Sequence, residues 1–267
     1  MDVPGIALIT GAGSGIGRAC AQLFAKEGST GLALIDLSQA SLEATKASIH
    51  ASVPNPPKIT LYAVDITSEP AITTTITSAA QEFNRLDYII NAAGISIKHP
   101  GGVGHATTDS WNKVLSVNLT GTFFVLRAAA KIMLAQAPLS SAIDGRVLCR
   151  GSIVNFSSIQ GYAGIAGSAA YTASKHGVIG LTRTASEDYA KDGIRVNAVC
   201  PGYTETPMTM DDPLVREAMR VRVAGAVPMG RMGRAEEIAD AVVFLAGGRS
   251  SFVTGTTLCV DGGFLQR

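Results

Sequence analysis

Short apolar runs alternate with longer amphipathic stretches along this chain, and the alternation predicts a β-α repeat. Ile6 to Ile9 is the first run, and the segment after it sets Ala19, Leu23 and Phe24 on one helical face. Gly31 to Asp36 predicts a second strand, and Ser38 to Ala51 an amphipathic helix that Pro54-Asn55-Pro56-Pro57 stops. Lys58 to Val64 predicts a third strand. Ile72, Ile76, Ala79, Ala80 and Phe83 recur at helical spacing, which predicts a helix from about Ser68 to Phe83. A fourth strand is expected at Leu86 to Ile90 and a long helix at Thr108 to Ala137, followed by a polar surface insertion from Pro138 to Arg150. The run Ile153 to Phe156 predicts a buried strand, with a helix after it that passes Lys175 and ends near Ala190. Ile194 to Val199, Ala235 to Ala246 and Thr256 to Val260 complete the series as strand, helix and strand. The pattern predicts an α/β fold: one doubly wound, Rossmann-type domain over residues 1–267, with a mostly parallel sheet of about seven strands and helices on both faces. Tyr203 to Pro228 breaks the rhythm. It lacks a clear period at its start and carries Met208, Met210 and Met219, so it reads as a mobile flap over a substrate pocket.

Composition narrows the partners. Apolar residues make up 46% and charged residues 16% of the 267, which suits a well-filled core. The net charge of +1 gives no field to draw in nucleic acid or an anionic membrane. No apolar run reads as a membrane span, and Met1-Asp2-Val3-Pro4 has no basic opening of a signal peptide. Cys20, Cys149, Cys200 and Cys259 are scattered and read as buried reduced thiols, so an intracellular, cytoplasmic protein is expected. The four histidines show no metal-ligand spacing, and no metal is expected.

Chemistry enters at the strand ends. After the first strand comes Thr10-Gly11-Ala12-Gly13-Ser14-Gly15-Ile16-Gly17, opening a helix. Glycines there admit a pyrophosphate against the backbone, and the helix N-terminus offers free N–H groups and a positive dipole. Gly11, Ser14, Gly15, Ile16 and Gly17 are therefore expected at a dinucleotide. Asp36 ends the second strand nineteen residues after Gly17, with Leu37 beside it. An acid at that place hydrogen-bonds the adenosine ribose and repels a 2′-phosphate, which predicts NAD(H). Arg18 softens the repulsion, so NADP(H) stays possible. Asp65, followed by Ile66, ends the third strand as a partner for the adenine amino group. Asn91-Ala92-Ala93-Gly94 ends the fourth, where small side chains let a flat cofactor lie on the backbone. Ser158 stands at the end of the Ile153–Phe156 strand, and Tyr171 and Lys175 lie one helical turn apart, so a hydroxyl, a phenol and an ammonium converge as a proton-transfer device.

The ordered motifs T-G-A-G-S-G-I-G, N-A-A-G, V-N-L, S-S, Y-T-A-S-K and P-G-Y-T-E-T resemble the short-chain dehydrogenase/reductase family, in its single-domain branch, over almost the whole chain. One departure is Ala92, where the family usually has a second asparagine. The resemblance implies that Tyr171 is the general acid/base, that Lys175 lowers its pKa and holds the nicotinamide ribose, and that Ser158 polarises the substrate carbonyl. It also implies that Asn118 holds a water linking Lys175 to solvent, and that Pro201, Gly202, Thr204 and Thr206 line the nicotinamide end. The expected activity is an NAD(H)-dependent interconversion of a secondary alcohol and a ketone, in a homodimer or homotetramer built on the helices carrying Asn118 and Tyr171. Two other readings are an NADPH-dependent 3-oxoacyl thioester reductase and a nucleotide-sensing binding protein without turnover. Gln160, Tyr162, His99 and the flap methionines are expected to shape the substrate pocket.

Overall fold

The computed structural model describes residues 1–211 and 213–266. Position 212, inside the expected flap, lies outside them. Seven strands form one parallel sheet: β1 (Ile6–Thr10), β2 (Gly31–Asp36), β3 (Lys58–Ala63), β4 (Tyr88–Asn91), β5 (Gly151–Phe156), β6 (Ile194–Pro201) and, last in the chain, β9 (Thr257–Val260). Their order is β3-β2-β1-β4-β5-β6-β9, so the direction of winding reverses between β1 and β4. Ala7 pairs with Leu32 on one side and Tyr88 on the other. In such sheets the crevice beyond the strand C-termini at that reversal is where ligands bind.

Alternating residues of each strand feed two separate cores. Ala7, Ile9, Leu32, Leu34, Ile90 and Val154 face α1 (Gly15–Lys26), α2 (Gln39–Ser52) and α9 (Ala235–Ala246). Leu8, Ala33, Ile35, Ile89, Ile153 and Val196 face α3 (Glu69–Phe83), α5 (Thr122–Leu134) and the end of α6 (Ala169–Tyr189). The apolar runs are continuous because both faces of the sheet are covered.

Four regions depart from expectation. The helix expected from Thr108 to Ala137 ends at Leu134 and is not uniform: α4 (Thr108–Leu115) meets α5 through a π turn at Ser116–Gly121. By length and composition this helical run is apolar enough to cross a membrane, contrary to the expectation that no such run exists. Leu126, Ala129 and Met133 instead fill the core between α3 and the sheet, as an interior helix does. The Pro138–Arg150 insertion is a small hairpin closed by a Ser140–Val147 bridge, and the Ala142 amide ties it to the Asp2 carboxylate at 2.9 Å. The flap contains more order than its sequence announces. A two-strand ladder joins β7 (Thr204–Glu205) to β8 (Gly233–Arg234), and between them lie α7 (Pro207–Met210) and α8 (Pro213–Ala226). Finally, all four cysteines are free, but only Cys20 and Cys200 are buried; Cys149 and Cys259 reach partial exposure because their strand or loop lies at the sheet's margin.

Candidate active site

The turn from β1 into α1 makes one wall. Gly11 takes φ +67°, and a Cβ there would lie 2.8 Å from the Ala93 backbone, so β1 and the β4 end approach as only glycine allows. A Cβ on Gly17 would lie 2.1 Å from the Gly11 carbonyl oxygen. Ser14 is the N-cap of α1, yet its side chain makes no capping bond, which leaves the first turn's donors facing the crevice. Asp36 fixes the loop: its carboxylate accepts from the Gly13 amide at 2.9 Å and the Ser38 amide at 3.2 Å. Asp65 accepts from the amide and hydroxyl of Thr67, each at 2.9 Å. Arg18 donates to the Gly13 carbonyl and to Thr45 Oγ1, and it is not among the cleft residues. Arg18 and Asp36 thus both bond to Gly13, the one through its carbonyl and the other through its amide.

The opposite wall is built from β5 and α6. Ser158 follows the end of β5, and its hydroxyl accepts from the Gln160 amide at 3.1 Å. Lys175 is buried; its Nζ donates to the Phe156 carbonyl at 2.7 Å and lies 5.4 Å from the centroid of the Tyr171 ring. Burial holds the ammonium down, to about 8. Burial also pushes the Tyr171 phenol above its ordinary value, with the Ser158 hydrogen bond acting the other way. The Lys175 ammonium sits over the Tyr171 ring while its hydrogen bond goes to the Phe156 carbonyl.

Both walls belong to one cleft of about 790 Å³. Every residue expected to hold the cofactor lines it except Asn91, and Ser158, Tyr171 and Lys175 line it as well. Asn91 is buried in the sheet, where its amide donates to Asn155 Oδ1 at 2.8 Å; Asn155 in turn donates to Thr182 Oγ1 at 3.0 Å. It braces β4 against β5 and α6. Asn118 also lies behind the cleft wall. Its side chain accepts from the Ile95 amide at 2.8 Å and donates to the Ile95 carbonyl at 2.9 Å and Ser174 Oγ at 3.2 Å. The π turn leaves its carbonyl accepting from Thr122 Oγ1 at 2.8 Å. A Cβ on Gly94 would lie 3.3 Å from Asn118 Oδ1 and 3.6 Å from Lys175 Nζ, so Gly94 borders both side chains.

The substrate end differs more. Gln160, Met208 and Met219 line the cleft; His99, Tyr162 and Met210 do not. His99 is buried, accepting from the Ala169 amide through Nε2 at 3.1 Å, and Tyr162 turns away to Thr257 Oγ1. Sequence reading missed Lys98, Ile165, Val215 and Arg222, which line that end. The apolar spacing of Val215, Met219 and Val223 is the signal that would have found α8. The positioning hydroxyls were missed too: Thr10 Oγ1 accepts from the Ala93 amide at 3.2 Å, and Ser157 Oγ donates to the Lys175 carbonyl at 2.9 Å. Polar residues inside apolar runs carry no sequence mark of their partners.

A glycine cradle that any Cβ would fill, an uncapped helix N-terminus and an acid at the end of β2 fit a dinucleotide. Comparison with known proteins agrees. A family model described as enoyl-(acyl carrier protein) reductase matches residues 11–265. The chain is 40% identical to the short-chain dehydrogenase srdC of Neurospora crassa, covering 98% of this chain and 97% of that protein. It is 38% identical to the human (3R)-3-hydroxyacyl-CoA dehydrogenase, covering 98% of this chain and 95% of that one. The crystal structure of levodione reductase superposes with a TM-score of 0.89 at 35% identity, over 98% of each chain. The chain belongs to the short-chain dehydrogenase/reductase family. It is an oxidoreductase acting on CH–OH groups, with a nicotinamide dinucleotide of the NAD(P)(H) kind as the family's cofactor.

Proposed function

We propose that this protein interconverts a secondary alcohol and a ketone with NAD(H), using Tyr171 as the general acid/base. The observation that carries the reading is the meeting of Ser158, Tyr171 and Lys175 in the cleft that the glycine turn opens. When bound, the nicotinamide supplies or accepts the hydride. The rest falls to the chain. Ser158 Oγ donates to the substrate oxygen and polarises the C–O bond. Tyr171 Oη gives that oxygen its proton in reduction and takes it in oxidation. Lys175, once turned from Phe156 toward the phenol, favours the phenolate and so makes the proton mobile. Asn118 acts at one remove, by holding Ile95 and Ser174 beside Lys175.

The preference for NAD(H) rests on Asp36. Its carboxylate is held by two amides at the end of β2, where it would accept from the ribose hydroxyls and repel a 2′-phosphate, while the Arg18 guanidinium is already bonded to Gly13 and Thr45. Turnover with NADH is expected to exceed turnover with NADPH at least tenfold, read from initial rates with one ketone. A preference for NADPH would overturn this account of Asp36 and favour the thioester-reductase alternative. Tyr171→Phe is expected to lower kcat by about 10²–10⁴-fold, the usual worth of a general acid, while NADH affinity measured by fluorescence titration stays within about twofold. Normal turnover in that variant would remove Tyr171 from the chemistry.

A further inference from the structure

Among the described residues, the substrate end of the cleft is lined by cations and by no carboxylate. Among the described residues, the carboxylates lining the cleft are Asp36 and Asp65, at the ends of β2 and β3. Asp36 is bonded to the Gly13 and Ser38 amides and Asp65 to Thr67, and β2 and β3 lie on the side of β1 away from Ser158 and Tyr171. The substrate walls instead bring in Lys98, from the loop after β4, and Arg222, from α8.

Lys98 is held in place. Its ammonium donates to the hydroxyl of buried Ser168, three residues before Tyr171. The next residue, His99, stitches the same loop to that segment: its amide donates to the Gly167 carbonyl at 3.0 Å and its ring accepts from Ala169. A hydroxyl orients an ammonium but does not neutralise it. Arg222 shares a face of α8 with Val215 and Met219, seven and three positions before it, and all three line the cleft. Both cations line the same cleft, and burial first, and then the Arg222 charge, hold the Lys98 ammonium below its ordinary value. Two like charges gathered from separate elements over a reaction site are stabilised by an anion between them.

We infer that Lys98 and Arg222 form an oxyanion clamp that selects substrates carrying a carboxylate or phosphate away from the reacting carbon. This rests on the oxidoreductase reading of the same cleft. Neither residue touches the reacting atoms in this assignment. Lys98 sits on the catalytic wall and Arg222 on the flap, so an anion bridging them also draws the flap onto the substrate.

Paired probes test it: 5-oxohexanoate against its methyl ester, and 3-oxobutyl phosphate against 4-hydroxybutan-2-one. Binding to the NADH-loaded protein is measured by calorimetry and turnover is followed in parallel. At least one anion is expected to bind tenfold or more tightly than its uncharged partner. Lys98→Gln together with Arg222→Gln is expected to bring that ratio to about one, through a rise in the anion's Kd and KM that exceeds any change for its uncharged partner tenfold or more. Which pair shows the ratio tells a carboxylate site from a phosphate site. Equal binding of charged and neutral probes overturns the clamp, as does a ratio that survives in the double variant. Turnover without charge selectivity removes the clamp and leaves the oxidoreductase reading standing. Selective binding with no turnover of any probe removes the proposed reaction on these ketones and leaves the anion site.

Discussion

Lys175 shows most clearly how a residue's surroundings set its chemistry. Its ammonium is buried on α6, hydrogen-bonded to one carbonyl, and held at about 8 against an ordinary 10.5. Below about pH 8 the folded protein keeps a proton it holds poorly, a penalty of about 3 kcal/mol. Between about 8 and 10.5 the folded chain has released that proton while the unfolded chain retains it, so stability rises with pH across that window. In the protein without nucleotide, urea unfolding of wild type and Lys175→Met is therefore expected to shift by about 2 kcal/mol in favour of wild type between about pH 7.5 and pH 9.5. A pH-independent difference would mean that the ammonium keeps its proton throughout. The spacing of Tyr171 and Lys175 was legible in the sequence because a helix fixes which positions share a face. The turn of Nζ toward Phe156 was not, because it depends on where β5 ends beneath α6. The same limit explains His99 and Tyr162. Each has a chemistry-bearing side chain near the site in sequence, but the partners that draw them away, Ala169 and Thr257, come from other parts of the chain.

Among the elements, the turn from β1 into α1 has the least tolerance. Gly17 lies on the first turn of α1 with its Cα against the Gly11 carbonyl, and an added methyl would overlap that oxygen at 2.1 Å. Gly17→Ala is expected to cost about 1–3 kcal/mol, as overpacking does, lowering the melting temperature. It is also expected to weaken NADH binding more than tenfold by moving the α1 N-terminus off the cleft. Unchanged melting and titration curves would show that α1 shifts without loss. Strands and helices bounded by proline or glycine were legible in the sequence, since both backbone preference and apolar period point the same way. The π turn at Ser116–Gly121 was not, because an extra residue per turn leaves the apolar pattern of the helix nearly intact. In α8 the period was present, but the irregular stretch before it, from Tyr203 to Met210, masked its start.

For the whole molecule, the reversal of winding between β1 and β4 was implied by the repeat of strand and helix, whereas the presence of Lys98 and Arg222 in one cleft was not. That pair depends on how the flap returns over the sheet. The same reversal governs the order in which the chain can assemble. β1 meets β2 early: Ala7 and Leu32 are twenty-five residues apart. Its other neighbour arrives only with Tyr88, eighty-one residues from Ala7. Closing the longer loop costs about 1 kcal/mol more in chain entropy than closing the shorter. The β1–β4 seam is also the floor of the nucleotide crevice, where Gly11 meets Ala93. A chain that has formed only its local strand-helix units has half of each wall and no floor. Nucleotide can therefore recognise this protein only late in folding, and it then acts as a latch on a seam already closed rather than as a template that brings the strands together.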